Sequence, residues 1–181
     1  MELIEAHRVL AEADCIVDAV ACHAATVRVA EGIKAAAGTE QPLVLAVMGG
    51  AVVFAGQLLP LLDFPLDFDY IHVSRYGGAT TGGHLAWKVE PKETVRGRTV
   101  IVLDDILDEG ETMHAIRERL LELGAARFLA AVFCEKDLGR VKPIKADFTG
   151  ITVPNRYVFG YGMDVRGMWR NLPAVYALKG M

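Results

Sequence analysis

The stretch Thr99-Val-Ile-Val-Leu-Asp104-Asp105-Ile-Leu-Asp108-Glu109-Gly110-Glu111-Thr112 decides the reading of this chain. Thr99 to Leu103 is a β-branched and aliphatic run of the kind that forms a strand buried on both faces. At its end it delivers two adjacent carboxylates, Asp104 and Asp105, and a third follows at Asp108. A helix is expected from Thr112 to Leu123, with Met113, Ile116, Leu120 and Leu123 on one face and Gly124 closing it. A short glycine-containing loop at a helix N-terminus directs backbone N–H groups toward a phosphate, and paired carboxylates suit the vicinal hydroxyls of a ribose. The unit reads as a cradle for a phosphorylated sugar. Two other readings compete with it. The acids could simply finish a strand and start a turn, or they could belong to an NTPase metal site, which here lacks its partner because no G-x-x-x-x-G-K-[ST] loop occurs in the chain.

Outward from this unit, strands and helices alternate. Leu43 to Val47 is a continuous apolar strand, Ala51 to Leu62 a helix, and Leu66 to Ser74 an alternating or edge strand; Phe128 to Phe133 and Arg156 to Gly160 are further strands. Residues 4 to 37 are alanine-rich, with Val9, Ala13, Ile16, Val20, Ala24 and Val27 at helical spacing, which predicts a helical hairpin or a long broken helix ended by Gly38. Tyr76 to Gly83 holds four glycines and two threonines, a flexible-loop composition. The pattern predicts an α/β fold: a mostly parallel central sheet flanked by helices, with ligands at the carboxyl ends of the strands. One domain spanning residues 1–181 is expected, with a helical N-terminal segment over 1–38 and a small hood to which 141–181 contribute.

The 181 residues are 52% hydrophobic, enough for one substantial core. Lys and Arg number 19 against 23 Asp and Glu, a net charge of −4, so no general attraction to nucleic acid or anionic lipid is expected. Cys15, Cys22 and Cys134 are an odd number without a CxxC pairing, which points to a reducing compartment and hence the cytoplasm. The uncharged run from Leu43 to Leu62 is interrupted by Gly49, Gly50, Gly56, Gln57 and Pro60 and is read as strand, turn and helix rather than a membrane span; the acidic N-terminus does not read as a signal peptide. His7, His23, His72, His84 and His114 show no metal-ligand spacing, and Trp87 and Trp169 read as core or interface anchors.

VLDDILDEGETM closely resembles the phosphoribosyl pyrophosphate signature of type I phosphoribosyltransferases, and its DDILDEG form is similar to that of the bacterial hypoxanthine-guanine branch. Further segments match the family in order between about Leu43 and Leu172. The resemblance implies phosphoribosyl binding by Asp104, Asp105, Asp108, Glu109, Gly110, Glu111 and Thr112. It implies a pyrophosphate loop at Met48, Gly49 and Gly50, with a non-proline cis peptide at Val47-Met48 and with Met48 where relatives commonly carry lysine. Ser74, Arg75 and Tyr76 resemble the start of a loop that closes over the site, excluding water from a developing oxocarbenium ion. Lys136 would donate to the purine 6-oxo group, Tyr157 stack on the base, and the Val158 backbone read its edge. Asp164, with Asp104 and Asp105, would bind Mg²⁺, and Arg170 would contact pyrophosphate. Singly, each has a plain structural reading: Lys136 as a solvated lysine, Tyr157 as core, Asp164 as a turn residue, Arg170 as a surface partner of an acid.

What the resemblance implies is a Mg²⁺-dependent transfer from phosphoribosyl pyrophosphate to hypoxanthine or guanine, giving IMP or GMP, with Asp108 accepting or sharing the purine N7 proton. Relatives are commonly homodimers or homotetramers. Glu109 and Glu111 depart from the small, polar or basic residues of many relatives, and would repel a 5′-phosphate unless they point outward. Two alternatives stand beside this reading: a preference for xanthine or another 6-oxopurine, and a weakly catalytic protein that senses the donor or a nucleotide.

Overall fold

The computed structural model describes residues 1–75 and 85–180. Its centre is a six-stranded sheet. β2 (Leu43–Val47) lies between β3 (Asp67–Arg75) and β5 (Thr99–Leu107), followed outward by β6 (Arg127–Lys136) and β7 (Phe148–Val153), with β4 (Leu85–Val89) at the other edge in the order β4-β3-β2-β5-β6-β7. All pairings are parallel except β3 with β4. The expected α/β architecture is therefore present.

Helices cover both faces. On one, α2 (Ala19–Ala37) and α3 (Val52–Leu58) pack through Ile33, Phe54 and Leu58 against Ile101, Leu103 and Phe133. On the other, α4 (Glu111–Glu122) sets Met113, Ile116 and Leu120 against Val100, Val102, Ala130 and Val132. Alternate residues of β5 thus feed opposite cores, which is why its first half needs an unbroken apolar run. At about 25 cal/mol per Å² such double-sided burial is the main source of stability.

Several boundaries differ from the sequence reading. The N-terminal segment is not continuous helix: α1 (Leu3–Glu12) ends, β1 (Asp14–Val17) intervenes, and Asp18 restarts α2 by accepting from the Ala21 N–H at 2.8 Å. The restart resets the helical phase, so α2 buries Cys22, Ala25, Thr26, Val29 and Ile33, while Val20 stays exposed. β1 joins a second, antiparallel sheet with β8 (Val158–Phe159) and β9 (Val175–Ala177) in the order β1-β9-β8. This small sheet is the hood, and the N-terminal segment supplies one of its strands. The expected strand Arg156 to Gly160 shrinks to β8, whereas β7 belongs to the main sheet. β5 runs on to Leu107, so Asp104 and Asp105 lie within it rather than at its end, and Lys136 is the last residue of β6 rather than beyond it. The uncharged run Leu43 to Leu62 divides into β2, a turn, α3 and a 3-10 turn over Leu59–Leu61, and among the described residues no helix is long and apolar enough to cross a membrane.

Candidate active site

The site forms where β5 and β6 end. Asp108 follows β5, and its Oδ2 accepts a hydrogen bond from Lys136 Nζ at 2.7 Å. Both line a cleft of about 220 Å³ with Asp105, Tyr157, Val158 and Asp164. Lys136 is mostly enclosed, its side chain 12% exposed, so it is not a solvated lysine. Tyr157 is 43% exposed, so it is not core either; its hydroxyl donates to Asp164 O at 3.3 Å. Val158 is buried in the hood, where it is paired with Ala177. The expected base-binding residues are thus gathered around one opening.

A second cleft, about 290 Å³, is lined by Asp104 to Gly110, Thr112 and Met113 at the N-terminus of α4. Gly110 adopts φ +88°, a conformation that L side chains rarely adopt, and so turns the chain into the helix. A glycine turn opening a helix is a place where free backbone N–H groups can meet a phosphate. Of the two unexpected carboxylates, Glu109 is paired with Arg140. Glu111 is exposed in the first helical turn, away from the cleft lining, where the helix dipole favours an acid.

Asp105 lines both clefts, and Asp104 lines the second. Burial, and the Asp105 charge beside it, hold the Asp104 carboxyl well above the usual carboxylate range. Burial also raises Asp105, while the hydrogen bond to Asp104 and the Arg170 guanidinium pull it back. Arg170 reaches Asp164 Oδ1 at 2.5 Å and donates to Gly162 O at 2.7 Å; Asp164 Oδ2 accepts from the Gly167 N–H at 2.6 Å. Among the described residues no three His, Cys, Asp or Glu side chains converge on one point. A Mg²⁺ ion would therefore draw on one or two of these hard oxygens together with the oxygens of a phosphorylated ligand, its usual mode.

The glycine loop differs from expectation in one respect: the cis peptide joins Met48 to Gly49, not Val47 to Met48. Met48 packs partly buried against the core, and its N–H donates to Ile71 O at 2.8 Å, leaving Gly49 and Gly50 to present backbone. A Cβ on Gly50 would collide with Asp105 Oδ2, and one on Gly162 would collide with Gly50 O. Ser74 and Arg75 close β3, and Ser74 Oγ is buried without a partner among the described residues; Tyr76 and the loop to Gly83 lie outside them.

Sequence reasoning passed over the scaffold of the Asp164 loop. Tyr161, Arg166 and Trp169 all have φ between +50° and +69°, strained for side-chain-bearing residues. Each is held from the N-terminal helices or the core. Tyr161 stacks on Phe133 at 4.0 Å and its hydroxyl pairs with Thr26 at 2.8 Å; Arg166 pairs with Glu5 at 2.6 Å; Trp169 Nε1 donates to Ala6 O at 2.9 Å. Only the anchor reading of Trp169 gave any signal of this.

The chain matches the family described as Phosphoribosyl transferase domain over residues 13–166. It is 38% identical over 141 residues to the hypoxanthine-guanine-xanthine phosphoribosyltransferase of Tritrichomonas foetus, covering 77% of each chain. To the hypoxanthine-guanine phosphoribosyltransferase of Lactococcus lactis it is 36% identical, covering 77% of this chain and 76% of that one. Among solved structures, a hypoxanthine-guanine-xanthine phosphoribosyltransferase superposes with a TM-score of 0.77 at 30% identity, covering 92% of this chain and 94% of that one. A Staphylococcus aureus hypoxanthine phosphoribosyltransferase shares the fold at a TM-score of 0.87 and 22% identity, covering 99% and 96%. With the family match spanning most of the chain and relatives this similar along three quarters of it, the chain belongs to the phosphoribosyltransferase family.

Proposed function

We propose that this protein transfers the phosphoribosyl group of phosphoribosyl pyrophosphate to hypoxanthine or guanine, giving IMP or GMP and pyrophosphate, a purine salvage reaction. The observation that carries the reading is the Asp108–Lys136 pair at the mouth of a cleft walled by Tyr157 and Val158. A fixed ammonium matches the 6-oxo acceptor of these bases, and a carboxylate beside it can take the N7 proton as N9 attacks the anomeric carbon. The bond from that carbon to pyrophosphate breaks as the bond to N9 forms. In this reading the α4 cradle, with Asp104, Asp105, Gly110 and Thr112, holds the ribose 5-phosphate, and Gly49, Gly50 and Arg170 face the leaving group. Mg²⁺, for which Asp104, Asp105 and Asp164 offer hard oxygens, would supply charge neutralisation at pyrophosphate when bound.

Pyrophosphate release measured with donor and Mg²⁺ tests the assignment. Hypoxanthine and guanine should each support multiple turnovers at micromolar enzyme; none with either base would refute it and leave the weakly catalytic, nucleotide-sensing role. Xanthine is the third base to assay, because the Tritrichomonas relative is named for it. The location we favour is the cytoplasm, in keeping with three free thiols. A homodimer or homotetramer is part of the proposal, supported by Phe68 and Tyr70, which stand exposed two residues apart on β3.

A further inference from the structure

We infer that Lys142 is a positioning residue for this reaction, holding Asp108 opposite Lys136 from behind the site. The inference rests on the role proposed for Asp108. Lys142 lies in the segment that follows β6, with its side chain only 7% exposed. Its Nζ donates to Leu107 O at 2.9 Å, to Lys136 O at 2.7 Å and to Glu135 Oε1 at 3.3 Å. An ammonium has three donors, and all three are used.

The partners matter more than their number. Leu107 immediately precedes Asp108, and Lys136 carries the amine that Asp108 faces. The ladder between β5 and β6 has Leu107↔Glu135 as its last registered pair. Among the described residues no further pair of that ladder includes Asp108, and Lys142 ties the two strands together at that point. Lys142 is itself anchored: the second oxygen of Glu135 accepts from Thr149 Oγ1 on β7 at 3.1 Å. The same segment also holds the residue after Asp108, where Arg140 pairs with Glu109. It also packs on the next residue, since a Cβ placed on Gly110 would lie 3.3 Å from Pro143 Cδ and 3.4 Å from Lys142 Cβ. Burying an ammonium is costly, and an apolar side chain could fill the space. What an apolar side chain cannot do is bind carbonyls of two strands at once.

Lys142→Met keeps the stem and removes the donors, so it is expected to lower stability as well as rate, and a slower variant alone would prove little. The discriminating readout is a double-mutant cycle with Asp108→Asn. If Lys142 acts through Asp108, Lys142→Met should cut kcat by ~10–30-fold when Asp108 is present and by less than ~3-fold in Asp108→Asn, the scale expected for small misplacement of a reacting group. The donor KM should change little in either background. Equal losses in both backgrounds would make Lys142 a general structural residue and overturn the inference. An Asp108→Asn enzyme with unimpaired turnover would instead remove the role proposed for Asp108, and this inference with it. Should Lys142→Met fail to fold, Lys142→Arg retains charge and bulk but not the three-point geometry. Its smaller loss of kcat should again depend on Asp108, and a loss independent of Asp108 overturns the proposal equally.

Discussion

Lys136→Ala separates recognition of the base from handling of the donor, and the structure sets the size of both effects. The amine lost is nearly enclosed and held 2.7 Å from a carboxylate that is itself 45% exposed. Losing that pair should cost the fold little, because a partner in contact with water makes such bridges worth about 0–1 kcal/mol. The acceptor base loses more. A hydrogen bond from a charged donor contributes about 1.5–3 kcal/mol, and at 1.4 kcal/mol per tenfold this is about 10–150-fold in kcat/KM for hypoxanthine and guanine. Adenine offers an amino group at position 6, which an ammonium cannot pair with. The unaltered enzyme should therefore reject adenine by roughly 10⁴ or more, and the variant should lose about 10–150-fold of that discrimination through the favoured bases. Initial rates with each base at saturating donor, beside calorimetric binding of the donor alone, make the comparison. Efficient adenine turnover by the unaltered enzyme, or normal guanine kinetics in Lys136→Ala, would refute the base assignment and leave phosphoribosyl transfer standing.

Asp104→Asn should raise thermal stability at neutral and higher pH. Burial holds the Asp104 carboxyl above its unfolded value, so its stabilising effect is present below the unfolded value and is lost as pH rises through the folded one. The variant should melt higher than wild type at pH 8, on the order of 2–4 °C, the shift that about 1 kcal/mol produces at this chain length. A gap as large at pH 4 would mean that charge is not the cause. Gly50→Ala should fold but bind the donor weakly, because the new methyl displaces the Asp105 carboxylate; a donor dissociation constant within a factor of about two of wild type would argue against the loop's role. In native protein only Cys15 should react rapidly with a thiol reagent, since burial pushes the Cys22 thiol up to about 11 and Cys134 is buried and raised as well. Two fast thiols would contradict that.

The central sheet was legible because both its faces are covered. β2, the first half of β5 and the buried span of β6 are apolar throughout, a signal that needs no knowledge of partners. The strands that escaped notice lack it. β4 and β7 sit at the edges of the sheet with mixed burial, β9 is three residues long, and β1 is half exposed inside an alanine-rich stretch that reads as helix. Asp18 was the available clue to the break, a side-chain cap where the spacing alone suggested continuity.

The site divides along the same line. Asp108, Lys136, Tyr157 and Asp164 were proposed from the family resemblance, whose weight lies in their joint order along the chain, and the structure brings them to one cleft. What holds them is not local. Thr26 and Tyr161 meet across the hood, Ala6 receives Trp169, and Lys142 reaches back to the end of β5; no window of sequence contains both members of any of these pairs. The glycines show the difference most clearly. Gly50 reads as a turn former, a property it could have alone, and nothing in the sequence singles out Gly162. In the fold they are needed because three distant segments meet at one point: Gly162 leaves room for the carbonyl of Gly50, and Gly50 leaves room for the carboxylate of Asp105. Gly162 also takes φ +103°, so a side chain there would be strained and obstructed together. A glycine whose absent side chain is the space occupied by a site carboxylate or its neighbour is a functional residue, and only the packed structure distinguishes it from a glycine that merely turns the chain.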